Sequence, residues 1–384
     1  MAEAAASGGV SRRTLLTGGA GLIAGAAAAS GVLAALGRDD AAADVQRVSP
    51  YGAHQAGIAA PAAAQAHALI SVFDASDVTR ETLPTLLASL GTAVAALTAE
   101  GYTSRLLPDG AGDLTVVVGI GPRLLALIDP DLAPVATLPV FASDDTVEVH
   151  GGDVLVIAAA TDPTVPAAAT EALTGALAPR WAQPGLRGAG RRSAARNPLG
   201  YYDGIIVPDT TALLDAGVWI GDGPLAGGTV CTVRRFRLDI PRFRALDAEA
   251  QDAVFGRRQT DGTPLSGGDA FGEIDLTAKS PEGEYLVPAR AHARAAHPSF
   301  IGAPLMLRRS YSYANDDDDR GVVFLSFQND VSTFSRTLQR LEETDDLLGF
   351  ATATASGAFA VLPGFTADRP LGSPLDPASA TADP

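Results

Sequence analysis

The 384-residue chain contains a single cysteine, Cys231, so no intrachain disulfide can form and no thiolate cluster can hold a metal. Positive charge is scarce too: Lys and Arg number 28 against 44 Asp and Glu, a net charge of −16. So acidic a surface argues against nucleic acid and anionic membranes as partners. Lys279 is the only lysine, which points to a GC-rich genome rather than to function. Histidine is also rare, at His54, His67, His150, His292 and His297. The Gly119-Ile120-Gly121-Pro122 stretch lacks the third glycine of a phosphate cradle, and its proline would break the helix such a cradle needs.

Charge is absent from Leu15 to Leu36, an Ala-, Gly- and Leu-rich run preceded by Ser11-Arg12-Arg13 and followed by small residues at Ala41–Ala43. About 20 apolar residues suffice to span a bilayer. The paired arginines and mild hydrophobicity fit a bacterial twin-arginine export signal better, with a retained anchor as the alternative. Residues 1–43 are therefore expected to be an export signal cut near Ala43–Asp44, delivering the protein outside the cell or to the periplasm or cell envelope. Arg12, Arg13 and Arg38 balance Glu3, Asp39 and Asp40, so the remainder keeps the whole −16.

That remainder, about 340 residues, is long for one simple core and suits two domains or one doubled fold. Residues 80–100 space Leu and Ala at helical intervals, and residues 162–178 read as a second helix. Residues 114–120 and 153–159 are short β-branched runs, hence strands. The Gly/Arg-rich residues 187–197 read as an exposed connection. Beyond it the theme repeats: strands at 229–240, 322–328 and 357–363, and helices at 247–255 and 331–343. The pattern predicts an α+β fold of two sandwiches, each an antiparallel sheet with helices on one face. The predicted domains are residues 44–196 and 197–365, with a flexible Pro/Ala/Asp-rich tail at 366–384.

Three stretches carry the chemistry. Gly200-Tyr201-Tyr202-Asp203-Gly204 is a turn by composition, in which Asp203 could serve only as a cap. His292-Ala293-Arg294 and Arg308-Arg309-Ser310-Tyr311-Ser312-Tyr313 follow. In order and spacing they resemble the Gly-x-x-Asp-Gly turn, His-x-Arg segment and Arg-Arg-x-Tyr-Ser-Tyr stretch of the dye-decolorising peroxidases, a family related to deferrochelatases. His54-Gln55-Ala56-Gly57-Ile58, Gly119–Arg123 and Phe324–Asp330 extend the resemblance from Gly52 to about Gly364.

The resemblance implies two ferredoxin-like sandwiches of the dimeric α+β barrel type, with haem b held mainly by the second. It makes His292 the proximal iron ligand, and His297, where relatives have Asn before Pro298, the weaker candidate. Asp203 would be the distal acid–base, taking a proton from hydrogen peroxide and returning it to the leaving oxygen. Arg308, matching the first arginine of the family's Arg-Arg stretch, would stabilise developing negative charge, with Arg309 as its competitor; adjacent strand residues face opposite ways, so only one of them should enter the pocket. Gly204, Ile205, Ile206, Arg294, His297 and Pro298 are further expected cofactor contacts, with Arg294 and Arg242 as candidates for the propionates. His54 reads as structural, or as part of the cavity mouth. Where many relatives continue Asp-Gly-Thr-x-Asn-Pro, this chain has Ile205-Ile206-Val207-Pro208 after Gly204. That dries the pocket and raises the aspartate's pKa, while Arg308 lowers it; the sequence does not rank the two. Tyr201, Tyr202, Tyr311, Tyr313 and Trp219 are candidate electron relays.

The implied activity is oxidation of dyes, phenols or other bulky reductants by hydrogen peroxide. Haem handling with release of iron, and non-catalytic haem carriage, are the alternatives; homo-oligomerisation is left open. A twin-arginine route exports folded proteins, which suits a chain that must enclose a cofactor first.

Overall fold

The computed structural model describes residues 46–175, 177–188, 190 and 194–375. The expected export signal lies outside them, as do residues 376–384 and part of the Gly/Arg-rich connection.

The strands are β1 His67–Asp74, β2 Thr115–Ile120, β3 Val149–His150, β4 Val154–Ala160, β5 Ala178–Leu186, β6 Ala195–Arg196, β7 Tyr202–Asp203, β8 Thr229–Leu238, β9 Leu307–Arg308, β10 Tyr311–Ala314, β11 Arg320–Gln328 and β12 Ala351–Val361. Their main sheet runs β10-β5-β1-β4-β2-β12-β8-β11-β9, and β10 also pairs with β11. That extra ladder closes eight strands into an antiparallel barrel, with Ser312 opposite Leu186 at one seam and Tyr311–Ala314 opposite Arg320–Val323 at the other. The protein is thus a mixed α/β fold built on a barrel-like sheet.

Alternation along each strand divides the residues between two faces. Ile70, Val72, Leu155, Ile157, Val233, Leu325 and Phe359 point into the barrel and form one buried cluster. Val116, Val118, Val154, Val156 and Ala158 point outward and meet Leu83, Leu87, Leu90 and Val94 of α1 (Leu83–Leu97). β2 and β4 are buried on both faces, which explains their unbroken apolar runs. Two short helices follow, α2 Pro122–Ile128 and α3 Val165–Thr174. Gly121 caps the first of them, and a Cβ there would come 1.9 Å from the Gly152 carbonyl, so this glycine serves close packing rather than a phosphate.

The helical residues 83–97 and 165–174 fall inside the expected ranges. Three differences have physical causes. β5 is a strand that the sequence reading left unassigned, between the helix expected to end at 178 and the connection expected from 187; its Pro179 and Pro184 are tolerated because it meets β10 at a single register pair. β12 begins at Ala351, six residues before the expected start, because its Ala/Thr-rich first half pairs with β8 without being hydrophobic. Residues 366–375, assigned to the tail by composition, are held down by Leu371 and Leu375, which are buried against the α1 side of the core.

Among the described residues no helix is long and apolar enough to cross a membrane. Phe359 sits wholly buried in the barrel on the strand that joins the two halves of the sheet. Phe359→Ala should cost about 3–5 kcal/mol of unfolding free energy, measured by denaturant titration. A cost under ~1 kcal/mol would show that the barrel interior does not carry the fold.

Candidate active site

The second half keeps the same alternation, but its outer face is not filled. Phe236 and Leu238 of β8 and Val322 and Phe324 of β11 point outward beneath a long helix and line a cavity of about 270 Å³. Helices α4 Thr211–Gly217, α5 Ile240–Arg244, α6 Ala248–Phe255, α7 His292–Ala295 and α8 Pro298–Ile301 lead up to that covering helix, α9 Val331–Thr344. Asp330 caps it by accepting from the Ser332 N–H at 2.7 Å. Phe334, Leu338 and Leu341, on its inward face, form one cavity wall.

Asp203 is delivered to the cavity by a hairpin. β6 pairs with β7, placing Ala195 opposite Asp203. The Asn197 Oδ1 accepts from the Leu199 and Tyr201 N–H groups at 3.0 and 3.1 Å, fixing the turn. Tyr201 points away from the cavity, stacks on Phe255 at 3.8 Å and donates to Asp252 at 2.6 Å. Both Tyr202 and Asp203 line the cavity, and Gly204 turns the chain at φ +82°.

Arg308, on β9, has Ser326 of β11 as its register partner, and its Nε lies 3.5 Å from Asp203 Oδ1, an ion pair rather than a tight hydrogen bond. Arg309 points the other way. It is buried in the barrel, where Nη1 donates to the carbonyls of Ile58 and Pro61 at 2.6 and 2.9 Å, and burial draws its pKa down to about 10. Of the adjacent pair, only Arg308 lines the cavity.

Burial alone would raise the Asp203 pKa. Arg308, then Arg187 and His292, together with the Gly204 N–H, outweigh it and hold the carboxyl below the usual carboxylate range. The balance that the sequence left open falls to the arginines.

His292 opens α7 and faces the cavity. Its Nδ1 lies 2.6 Å from Oδ2 of Asp345, whose side chain is fully buried. Asp345 also accepts from the Leu347 N–H at 2.9 Å, so the carboxylate is fixed from both ends. With Nδ1 engaged, Nε2 is the nitrogen left for a ligand. Burial opposes a charge on this imidazole, but Asp345 overrides it and raises the pKa above the ordinary histidine value; Arg308 acts in the opposite sense.

Asp345 escaped the sequence reading, although a signal exists. Phe334, Leu338 and Leu341 mark the buried stripe of α9, and Asp345 continues it four residues on, an acid in an apolar register. Arg187 and Arg257 were missed as well: Arg187 opens the stretch read as an exposed connection, and Arg257 belongs to no recognised stretch.

Gly204, Ile205, Ile206, His297 and Pro298 line the cavity. His297 spends both nitrogens: Nε2 pairs with Glu273 at 3.0 Å and Nδ1 accepts from the Ser299 N–H, capping α8. It is built as a cap, not a ligand. Arg294 does not line the cavity; both terminal nitrogens donate to the Leu276 carbonyl, and its guanidinium lies over Tyr285. Arg242 likewise donates to the Gly349 carbonyl and covers Phe350. His54 does not line the cavity; its Nδ1 donates to the Gly227 carbonyl at 2.7 Å and its ring stacks on Trp219 at 3.7 Å. Tyr311, Tyr313 and Trp219 belong to the barrel interior, whereas Tyr202 borders the cavity.

Among the described residues no cluster of three or more His, Cys, Asp or Glu side chains could cage a metal ion. What the cavity offers is one oriented imidazole, a carboxylate–guanidinium pair and apolar walls. That donor set suits an iron whose other ligands come from a porphyrin. Replacing Asp345 by Asn should lower the His292 pKa in the haem-free protein, since burial then acts without its opponent; NMR titration of the imidazole would read the change. An unaltered pKa would remove Asp345 from the account.

Residues 194–366 match the family described as Dyp-type peroxidase, C-terminal. A dye-decolorizing peroxidase of Thermobifida fusca is 34% identical over 86% of this chain and 85% of its own length. A deferrochelatase of Yersinia pestis is 29% identical over 92% of each. Among solved structures, a DyP-type peroxidase of Streptomyces coelicolor superposes with a TM-score of 0.79 at 31% identity, covering 86% of this chain and 96% of that one. Ferric DtpA of Streptomyces lividans gives 0.79 at 30% identity, covering 86% and 97%. The matches run through barrel and cavity alike, and this chain belongs to the dye-decolorising peroxidase family.

Proposed function

We propose a division of labour within the haem-dependent peroxidase activity that this membership brings. Haem held in the cavity supplies the redox iron at which hydrogen peroxide is reduced and a bulky reductant is oxidised. The observation that carries the assignment is the convergence on one cavity of Asp203, Arg308 and an Asp345-oriented His292.

His292 would hold the haem iron, its Nε2 being the nitrogen left free. Asp345 keeps the proton on Nδ1, fixes the ring plane and makes the ligand more electron-rich. Asp203 accepts a proton from hydrogen peroxide and delivers it to the departing oxygen. Arg308 holds that carboxylate ionised and stands ready to stabilise negative charge on the oxygen that leaves. Ile205 and Ile206 keep water from competing for the same proton.

His292→Ala should lose haem or bind it loosely, while His297→Ala keeps the wild-type absorption spectrum. The opposite pattern would put the iron on the wrong histidine.

Asp203→Ala should slow the reaction with peroxide by about 10²–10⁴-fold, read by stopped-flow absorbance. An unperturbed aspartate titrates near ~3.9. Asp203 is held lower, so its basic form persists as pH falls and the rate should begin to decline only at a lower pH than for an ordinary aspartate. Arg308→Leu removes the strongest of the lowering influences and should move that decline to higher pH. Arg309→Leu, on the barrel side, should leave the decline where it is. If Asp203→Ala leaves both rate and profile unchanged, Asp203 is merely a turn residue.

The strand orders support a finer architecture of two ferredoxin-like halves, residues 44–196 and 197–365. β5-β1-β4-β2 in the first half and β12-β8-β11-β9/β10 in the second both follow the order fourth, first, third, second. The paired Arg12-Arg13 ahead of an uncharged run supports twin-arginine export. Replacing both arginines by lysine should then leave the protein in the cytoplasm.

The similarity to deferrochelatases over 92% of the chain favours iron release as a second reading. Accumulation of metal-free porphyrin, in place of dye oxidation, would identify it.

A further inference from the structure

Among the described residues, two arginines and no lysine line the cavity. Arg308 faces Asp203. The other, Arg257, is engaged by no carboxylate among the described residues. Its side chain is held by a short hairpin: Gly256 ends α6 in the left-handed conformation at φ +79°, Arg257 bridges to Pro264, and Gly262 turns the chain at φ +80°. Nη1 donates to the carbonyls of Gly262 and Gly272 at 3.1 and 2.9 Å. Both acceptors are neutral, and Nε and Nη2 are left over.

A guanidinium that is only 8% exposed and lacks an anion is costly, because desolvation is not repaid by a partner charge. The acid that acts on it, Glu273, gives its Oε1 to His297 and is largely exposed. Burial accordingly outweighs the pull of Glu273 and lowers the Arg257 pKa. The site is short of one negative charge at a fixed guanidinium fork, the geometry that suits a carboxylate.

We propose that Arg257 anchors a carboxylate of the cofactor, a haem propionate, and so sets how the porphyrin is turned within the cavity. The inference rests on the haem reading above. It assigns to Arg257 the task for which the sequence nominated Arg294 and Arg242, both of which are committed elsewhere. Two bonds from a fixed fork, excluded from water, hold a carboxylate more strongly than a mobile surface charge could.

The test is reconstitution of the haem-free protein with ferric protoporphyrin IX and with its dimethyl ester, whose carboxyls are masked, followed by Soret absorbance. Wild type should bind haem at least about tenfold more tightly than the ester, a charge-assisted bond being at stake. Arg257→Gln should weaken haem binding by a similar factor, leave ester binding unchanged and bring the ratio close to one. Arg257→Lys, which keeps the charge but loses the fork, should fall between them, and it carries the test if the glutamine variant fails to fold. If Arg257 merely supports the hairpin, both ligands weaken together and the ratio stays at the wild-type value; that result overturns the proposal and leaves the haem reading standing. Failure of wild type to bind either ligand would overturn the haem reading itself.

Discussion

Closure of the barrel is the constraint on which the remaining structure depends. β12 pairs with β8 over ten register positions and with β2 at its far end, while β10 reaches both β11 and β5. The two halves therefore share one interior, and neither can shift register without breaking a seam. Because side chains alternate strictly, filling the barrel with Ile70, Ile157, Leu325 and Phe359 also decides which residues must face outward.

The two halves use that outward face differently. In the first, Val116, Val118, Val154 and Val156 meet the leucines of α1 directly and leave no room for a ligand. In the second, α9 stands over Phe236, Leu238, Val322 and Phe324 with a cavity between, and the chain from α6 to β9 supplies the remaining walls. The site is a core left open on one side, with a rigid sheet as its floor. Such a floor holds Arg308 in place while the hairpin brings Asp203 to it.

The polar groups of the site are tied together behind the cavity. Phe255 stacks on Tyr201 of the Asp203 hairpin and meets the His292 ring edge-on at 6.2 Å. Asp345 fixes the same histidine from the end of α9. Acid and imidazole, nearly 90 positions apart in sequence, are thus positioned through one aromatic residue and one buried carboxylate. Arg308 and the more distant Arg187 keep Asp203 ionised where burial would neutralise it.

The sequence by itself determined the mixed α/β character and the strands β2 and β4, because apolar β-branched runs and helical spacing are written in neighbouring residues. Asp203, His292 and Arg308 it named through likeness to a family, and alternation along a strand required only that Arg308 and Arg309 diverge. Barrel closure, the strand at Ala178–Leu186 and the early start of β12 required the tertiary structure, because their strand character comes from partners and not from hydrophobic content. The same holds for Asp345, Arg187 and Arg257, whose significance lies in what stands across a cavity, and for Arg294 and His297, whose nitrogens are taken by a carbonyl, a carboxylate and a helix cap that no local pattern announces. Motifs name the groups that reach a site; only the packed chain decides which of their atoms remain available to a ligand.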